Sequence, residues 1–225
     1  MEKGLQIAID GPAAAGKSTI AKITASKLGY TYIDTGAMYR ALTYKALQSH
    51  INVNDDEALS KLLNEITIEL LPSENGQLVK VDGEDITEAI RSQEVTSQVS
   101  AAAAQPKVRK MMADKQRQLA DAEGVVMDGR DIGTAVLPNA ELKIFMTASV
   151  EERASRRYAE NMKRGINRSM EELCQDISSR DKADTERVAS PLKQADDAIY
   201  IDTTSMTIEE VADTIIQFAE KRRRL

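Results

Sequence analysis

Leu5-Gln-Ile-Ala-Ile-Asp-Gly-Pro-Ala-Ala-Ala-Gly-Lys-Ser-Thr19 is the stretch from which the rest of the chain can be read. Residues 5–9 form an apolar, β-prone run, and a helical pattern follows over 16–28. Between them Gly11, Pro12, Ala13, Ala14, Ala15, Gly16, Lys17 and Ser18 match the spacing G-x4-G-K-S/T. A glycine-rich turn that leads a strand into a helix directs successive backbone N–H groups, and the positive end of the helix, at one point. That arrangement suits a polyphosphate. Lys17 is expected to hold the β and γ phosphates, with the Ser18 hydroxyl facing Mg²⁺ and Thr19 completing the loop. The implied ligand is a nucleoside triphosphate.

Moving outward, residues 31–34 read as a second strand and 37–48 as a helix. A third helix is expected from Asn54, with Asn54 as its cap and Glu57 closing a capping box. Residues 66–71 and 78–81 are β-like, separated by the turn formers of 72–76, and 86–104 returns to helix. A helix near 107–123 leads to strands at 125–127 and 142–146. Helices over 150–164 and 169–188 follow, the second with a Ser169/Glu172 capping box, and then a strand at 198–201. Thr207 and Glu210 cap a closing helix. Five core strands alternating with helices indicate an α/β fold with a parallel sheet and right-handed crossovers. The β-rich patch near the middle interrupts that rhythm as an insertion, and 1–225 is expected to form one domain.

Composition removes several alternatives. The chain has 225 residues, 42% hydrophobic and 29% charged, a globular balance. No uninterrupted apolar run exceeds four residues, so no transmembrane helix is expected, and residues 1–10 lack a signal-peptide core. The expected location is the cytoplasm. One cysteine, Cys174, excludes an internal disulfide or a Cys-based zinc site, and one histidine, His50, excludes a multi-histidine metal site or a serine-type triad. With 30 Lys+Arg against 36 Asp+Glu the net charge is −6, which opposes a nucleic-acid grip over the whole surface.

The acceptor chemistry has to come from the other strand ends, because those border the ligand crevice of a parallel sheet. The second strand runs into Asp34-Thr-Gly-Ala-Met-Tyr-Arg40. Arg40, with Tyr39 beside it, reads either as a fork for an acceptor phosphate or as a surface arginine on a helix-initiating turn. The third strand runs into Asp128-Gly-Arg-Asp131, where Asp128 could serve Mg²⁺, directly or through water, and Arg130 would enter the same crevice. Arg153, Arg156, Arg157, Lys163 and Arg164 crowd one short stretch. Arg180, Asp184 and Arg187 lie at i, i+4 and i+7 on one helix face. Taken alone, that spacing reads as a solvated salt bridge. The terminal Lys221-Arg-Arg-Arg224 reads as cations favoured at a helix C-terminus.

Together these motifs resemble the bacterial cytidylate (CMP) kinases, a branch of the nucleoside monophosphate kinases. The resemblance rests on the stretch 9–19, on Asp34-Thr-Gly-Ala-Met-Tyr-Arg40, on residues 94–100, on Pro106-Lys-Val-Arg109, on Asp128-Gly-Arg-Asp-Ile-Gly-Thr134 and on Arg180-Asp-Lys-Ala-Asp184. It implies a P-loop kinase with a five-stranded parallel sheet, an enlarged nucleotide-binding insert at 63–102 and a helical lid at 153–167. It implies transfer of the γ-phosphoryl group of ATP, with Mg²⁺, to CMP or dCMP in a monomeric enzyme without nucleic-acid or membrane partners. Arg40 and Arg130 would hold the CMP phosphate, with Thr35 and Tyr39 on the same side. Ser100, Arg109 and Asp131 would read the cytosine edge. Arg180 and Asp184 would lie near the ribose hydroxyls, Arg187 close to ribose or phosphate, and Arg157 in the lid over the ATP phosphates.

This chemistry accepts a chain poor in histidine. A phosphate acceptor is already ionised near neutral pH, its second pKa being about 6, so no strong base is required. The demand is to hold two anions in line and stabilise the charge on the moving group, which Lys17, Arg130, Arg157 and Arg180 are expected to meet. Cytosine presents an N4 amino donor where uracil presents a carbonyl, so a carboxylate at Asp131 would favour the first. Two other readings compete: a phosphate-loop kinase for a different small acceptor, and a nucleotide-regulated binding protein acting on RNA. With 2 Phe, 6 Tyr and no Trp, the last has little to stack bases on.

Overall fold

The computed structural model describes residues 4–73, 76–121, 124–163 and 165–224. Arg164, Glu123 and residues 74–75 of the 72–76 turn therefore lie outside the described residues. The central sheet is built from β1 (Gln6–Asp10), β2 (Thr31–Asp34), β6 (Val125–Gly129), β7 (Leu142–Thr147) and β8 (Ile199–Asp202). Its order is β2-β6-β1-β7-β8, with every neighbouring pair parallel. The five-stranded parallel sheet expected from the alternating pattern is present. β6 is buried along its whole length, which explains why it reads as an unbroken apolar run before Asp128. The chain leaves β1 for the sheet's far edge at β2 and returns to both of β1's neighbours later. That change of direction opens a crevice beyond the carboxyl ends of the strands, where β1, β2 and β6 all finish in functional sequence.

Helices cover both faces. Residues of α1 (Lys17–Leu28) and α8 (Ile208–Arg223) pack with Ile7, Ile9, Val126, Ile144 and Met146. On the opposite face Ala8, Ile33, Val125 and Met127 pack with Ala120 of α5 (Pro106–Ala120) and with Ile132 and Val136. A second core joins α2 (Thr35–Gln48), α3 (Asp56–Glu65) and α5 to the inserted segment. That segment is an antiparallel sheet of β3 (Ile68–Ser73), β4 (Gly76–Val81) and β5 (Glu84–Asp85), followed by a 3₁₀ turn at Ala89–Arg91 and α4 (Gln93–Ala104). It shares buried side chains such as Val79, Ile86 and Val99 with Met38 and Leu42 of α2. Finally α6 (Val150–Lys163) and α7 (Met170–Glu186) pair through Ala154, Leu173 and Ile177. Among the described residues no helix is long and apolar enough to cross a membrane.

Several local expectations shift. The α3 cap is Asp55, whose carboxylate accepts from the Ala58 N–H at 3.0 Å; Asn54 lies outside the helix. Both residues are good caps, and only the last buried turn decides between them. The expected helix over 86–104 is broken by Ser92, which caps α4 through the Val95 N–H at 3.3 Å. α2 starts at Thr35 because Asp34 caps it, accepting from the Ala37 N–H at 2.8 Å. Both capping boxes, Ser169/Glu172 and Thr207/Glu210, are formed as expected. A π-helical turn at Ile132–Val136 has no sequence signature.

Candidate active site

The phosphate loop is shaped by its small residues. Gly11 has φ +150°, and a Cβ there would meet the Met146 carbonyl oxygen at 2.0 Å, so only glycine lets β1 turn away beside β7. Ala14 (φ 59°) and Gly16 (φ 84°) are left-handed, which curls the loop. Gly16 precedes α1 without a side-chain cap, and the first turn of α1 carries no acid, so its N–H groups have no competing anion. Lys17 is buried, with Nζ donating to the Pro12 carbonyl at 2.7 Å. Burial, then the neighbouring Arg130, push its pKa down to about 7. A bound anion would reverse that shift.

Asp128 sits beside Ile9 of β1, at the loop's base. Its carboxylate accepts from Ser18 Oγ at 2.9 Å and from the Tyr32 hydroxyl at 2.8 Å, while its backbone carbonyl accepts from Thr35 Oγ1 at 2.7 Å. Burial and then the Asp34 carboxylate raise its pKa to about 6. A serine hydroxyl and a buried carboxylate are hard oxygen donors of the kind Mg²⁺ takes, and the burdened carboxylate gains from a cation, so the residues fit that ion.

Facing the loop is a group of arginines. Arg40 is paired with Asp34 at 2.9 Å, Arg130 with Asp184 at 2.8 Å and Arg109 with Asp131 at 2.5 Å. Arg187 is within 3.6 Å of both Asp131 and Asp184. Arg109 also donates to the Ala103 carbonyl and lies over the Tyr39 ring. Burial would raise the Asp184 carboxyl, but Arg130 and Arg180 more than offset this and hold it low. Burial, then Arg130, lower Arg180 to about 10. Pairing is incomplete: Nε of Arg40, Arg91, Arg109 and Arg180, and one Arg187 terminal nitrogen, are buried without a hydrogen-bond acceptor among the described residues. Unsatisfied guanidinium N–H groups are costly in a folded protein and are suited to an incoming anion.

These arginines and their acidic partners line one cavity of about 800 Å³ together with Lys17, Ser18, Thr35 and Asp128, at the upper end of the range for ligand sites. Among the described residues eleven of those lining it are lysine or arginine and six are acidic, a positive interior in a chain of net charge −6. A family model described as cytidylate kinase matches residues 7–221. The chain belongs to the cytidylate kinase family. Among curated members it is 58% identical to the cytidylate kinase of Bacillus subtilis over 224 residues, covering 100% of both chains. It is 60% identical to that of a Geobacillus species (strain WCH70) over 222 residues, covering 99% of both. Solved structures with the same fold include a gluconokinase from Sinorhizobium meliloti, with TM-score 0.51 and 12% identity over 99% of this chain and 95% of that one. An uncharacterized protein from Eubacterium ventriosum has TM-score 0.52 and 14% identity, covering 97% and 99% respectively.

Within this family member the site residues expected from sequence fall as follows. Lys17, Ser18 and Thr19 line the cavity with Ala13, Ala14, Ala15 and Gly16, whereas Gly11 and Pro12 lie beneath it. Thr35, Tyr39, Arg40, Ser100, Arg109, Asp128, Arg130, Asp131, Arg180, Asp184 and Arg187 all line it. The Arg180/Asp184/Arg187 face, read alone as a solvated salt bridge, is instead turned into the protein, with Asp184 buried. The basic stretch divides: Arg157 and Lys163 face the cavity, but Arg153 is buried and donates to the Ala13 and Ala148 carbonyls and to Asp181. Arg156 donates to the Thr203 carbonyl at 2.7 Å.

Sequence reasoning passed over Asp10, Tyr32, Arg91, Asp181 and the wall formed by Thr203, Met206 and Ile208. Asp181 accepts from the Ala13 N–H at 3.1 Å, fastening α7 to the phosphate loop. An acid at the end of the strand that enters the phosphate loop was visible at Asp10; Tyr32 meets Asp128 96 residues away and Asp181 meets Ala13 168 residues away, contacts that leave no local trace.

Proposed function

We propose that the protein transfers the γ-phosphoryl group of ATP to CMP or dCMP, giving ADP and CDP or dCDP. The observation that carries this reading is the group of incompletely paired guanidiniums, with buried nitrogens that lack acceptors among the described residues, lining one cavity with the phosphate loop. It is supported by membership of the cytidylate kinase family. Lys17 and the loop N–H groups bind the ATP phosphates. Arg40 and Arg130 take the acceptor phosphate, with Thr35 and Tyr39 beside them. Ser100, Arg109 and Asp131 meet the cytosine edge, and Arg180, Asp184 and Arg187 lie toward the ribose. When bound, Mg²⁺ supplies positive charge to the polyphosphate oxygens, and Ser18 and Asp128 are the residues that would hold it.

The acceptor phosphate attacks in its ionised form, so these side chains align two anions and stabilise the charge on the transferred group. Arg157 and Arg180 add to Lys17 and Arg130 in that role. Segment 153–167 would close as a lid and exclude water, and 63–102 would fold over the acceptor nucleotide. On the same reading the enzyme is a cytoplasmic monomer without a nucleic-acid partner, in keeping with its acidic net charge.

The deciding experiment is an ADP-release assay across CMP, dCMP, UMP, AMP and shikimate. CMP and dCMP are expected to give the highest kcat/KM; a preference for AMP or shikimate, or no acceptor-dependent turnover, would refute the reading. Asp131→Ala is expected to erode the CMP-over-UMP preference, because the carboxylate that accepts from the amino group and repels uracil's oxygen is gone.

A further inference from the structure

Asp10 is the last residue of β1, and its backbone leads directly into Gly11 of the phosphate loop. Its side chain does something else. It is buried, and each carboxylate oxygen accepts one backbone N–H, from Ile132 at 2.8 Å and from Gly133 at 2.7 Å. Those two residues open the π-helical turn that follows Arg130 and Asp131. The turn closes on Asp131 itself, whose carbonyl accepts from Ala135 N–H at 2.8 Å and Val136 N–H at 3.2 Å. The turn also rests against the Lys143 stem: a Cβ built on Gly133 lies 3.1 Å from that stem and 3.4 Å from Asp10 Oδ2. Lys143 is itself fixed by the Pro138 carbonyl and Asp197.

We propose that Asp10 is a positioning residue that sets the distance and orientation of the Arg130–Asp131 pair relative to the phosphate loop, and thereby the selectivity for the acceptor base. This rests on the reading of Arg130 and Asp131 as acceptor-side residues. Asp10 is paired on both sides, with Gly129 of β6 and Phe145 of β7, so the base of the donor loop is fixed in the sheet. The two hydrogen bonds from Asp10 carry that fixed point across to the turn. A turn free to shift would displace the Asp131 carboxylate from the acceptor base, and with it the interaction that discriminates. The donor site should be spared. The Asp10 side-chain hydrogen bonds run to Ile132 and Gly133 of the turn, so losing them leaves the loop's own contacts, Lys17 to the Pro12 carbonyl and Ala13 N–H to Asp181, in place.

Two variants perturb the turn by different means. Asp10→Asn keeps one acceptor oxygen but presents an NH₂ group to a backbone N–H. Gly133→Ala wedges a methyl against Lys143 and leaves the carboxylate intact. In both, the ratio of kcat/KM for CMP to that for UMP should fall at least about fivefold, equivalent to about 1 kcal/mol, with KM for ATP within about twofold of the parent. A ratio is independent of the fraction of active enzyme, so partial misfolding does not obscure it. If the ratio in either variant falls less than that, or the loss lies in KM for ATP, the inference is overturned. Asp131→Ala measured alongside separates the two levels. A ratio insensitive to Asp131→Ala removes the base-reading assignment and this inference with it, whereas a ratio sensitive to Asp131→Ala but not to Asp10→Asn removes only the role of Asp10.

Discussion

Replacing Arg180 with methionine should make the enzyme worse and the ligand-free protein more stable. Arg180 stands among other cations, its Nε is buried without an acceptor, and Arg130 lies close enough to lower its pKa further. The fall from 12.5 to about 10, at about 1.4 kcal/mol per pH unit, puts the cost of holding this charge near 3 kcal/mol. Asp184 already offsets part of it and is included in that net figure. Methionine fills most of the same space without the charge, so Arg180→Met should recover about 1–3 kcal/mol. For a chain of this size that raises Tm by about 2–12 °C, at about 2–4 °C per kcal/mol. The same substitution removes a preorganised cation from the transferred group and should lower kcat by about 10²–10³. Differential scanning fluorimetry in a buffer free of phosphate and sulfate measures the first effect, and a coupled ADP-release assay the second. A variant that melts below the parent while keeping kcat within about tenfold would refute the reasoning, because Arg180 would then be a structural residue.

Two further outcomes follow from the loop and its carboxylate. In the free enzyme Asp128 titrates at about 6, and the Tyr32 hydroxyl, which donates to its ionised form, holds that value down. The acid limb of kcat/KM for ATP should therefore fall near pH 6 and move to higher pH in Tyr32→Phe; a limb that stays in place assigns it to the substrate phosphate instead. Gly11→Ala places a methyl 2.0 Å from a backbone carbonyl at φ +150°, and should cost at least about 3 kcal/mol of stability by urea denaturation, while Gly29→Ala, with nothing within 4 Å of the added carbon, should cost less.

How far the chain could be read in advance depended on the range of each interaction. The phosphate loop was legible because its parts are consecutive: strand, Gly11, Gly16, Lys17 and helix occur in the order the geometry requires. The capping boxes at Ser169/Glu172 and Thr207/Glu210 were legible for the same reason, each closing over three residues. Asn54 and Asp55 are adjacent and chemically alike, so no local rule separates them. Arg153 and Arg157 are one helical turn apart and share a charge. Yet Ala154, fully buried against the neighbouring helix, turns the face they share toward the phosphate loop, and the one-turn step along α6 puts Arg153 under that loop and Arg157 in the cavity. That choice is made by packing, which a pattern of charges does not contain.

The arginines present the same contrast at the scale of the whole molecule. The net charge of −6 belongs to the whole chain, whereas the described lining of its cavity holds eleven cations against six acids. Assembling them there is unfavourable in the empty protein, and the acids relieve only part of it: Asp34, Asp131 and Asp184 each take a guanidinium and leave other N–H groups bare. A chain selected only for stability would add carboxylates or remove arginines. The remaining imbalance is matched by what two phosphorylated nucleotides would bring, so the missing counter-charge is itself a description of the ligands.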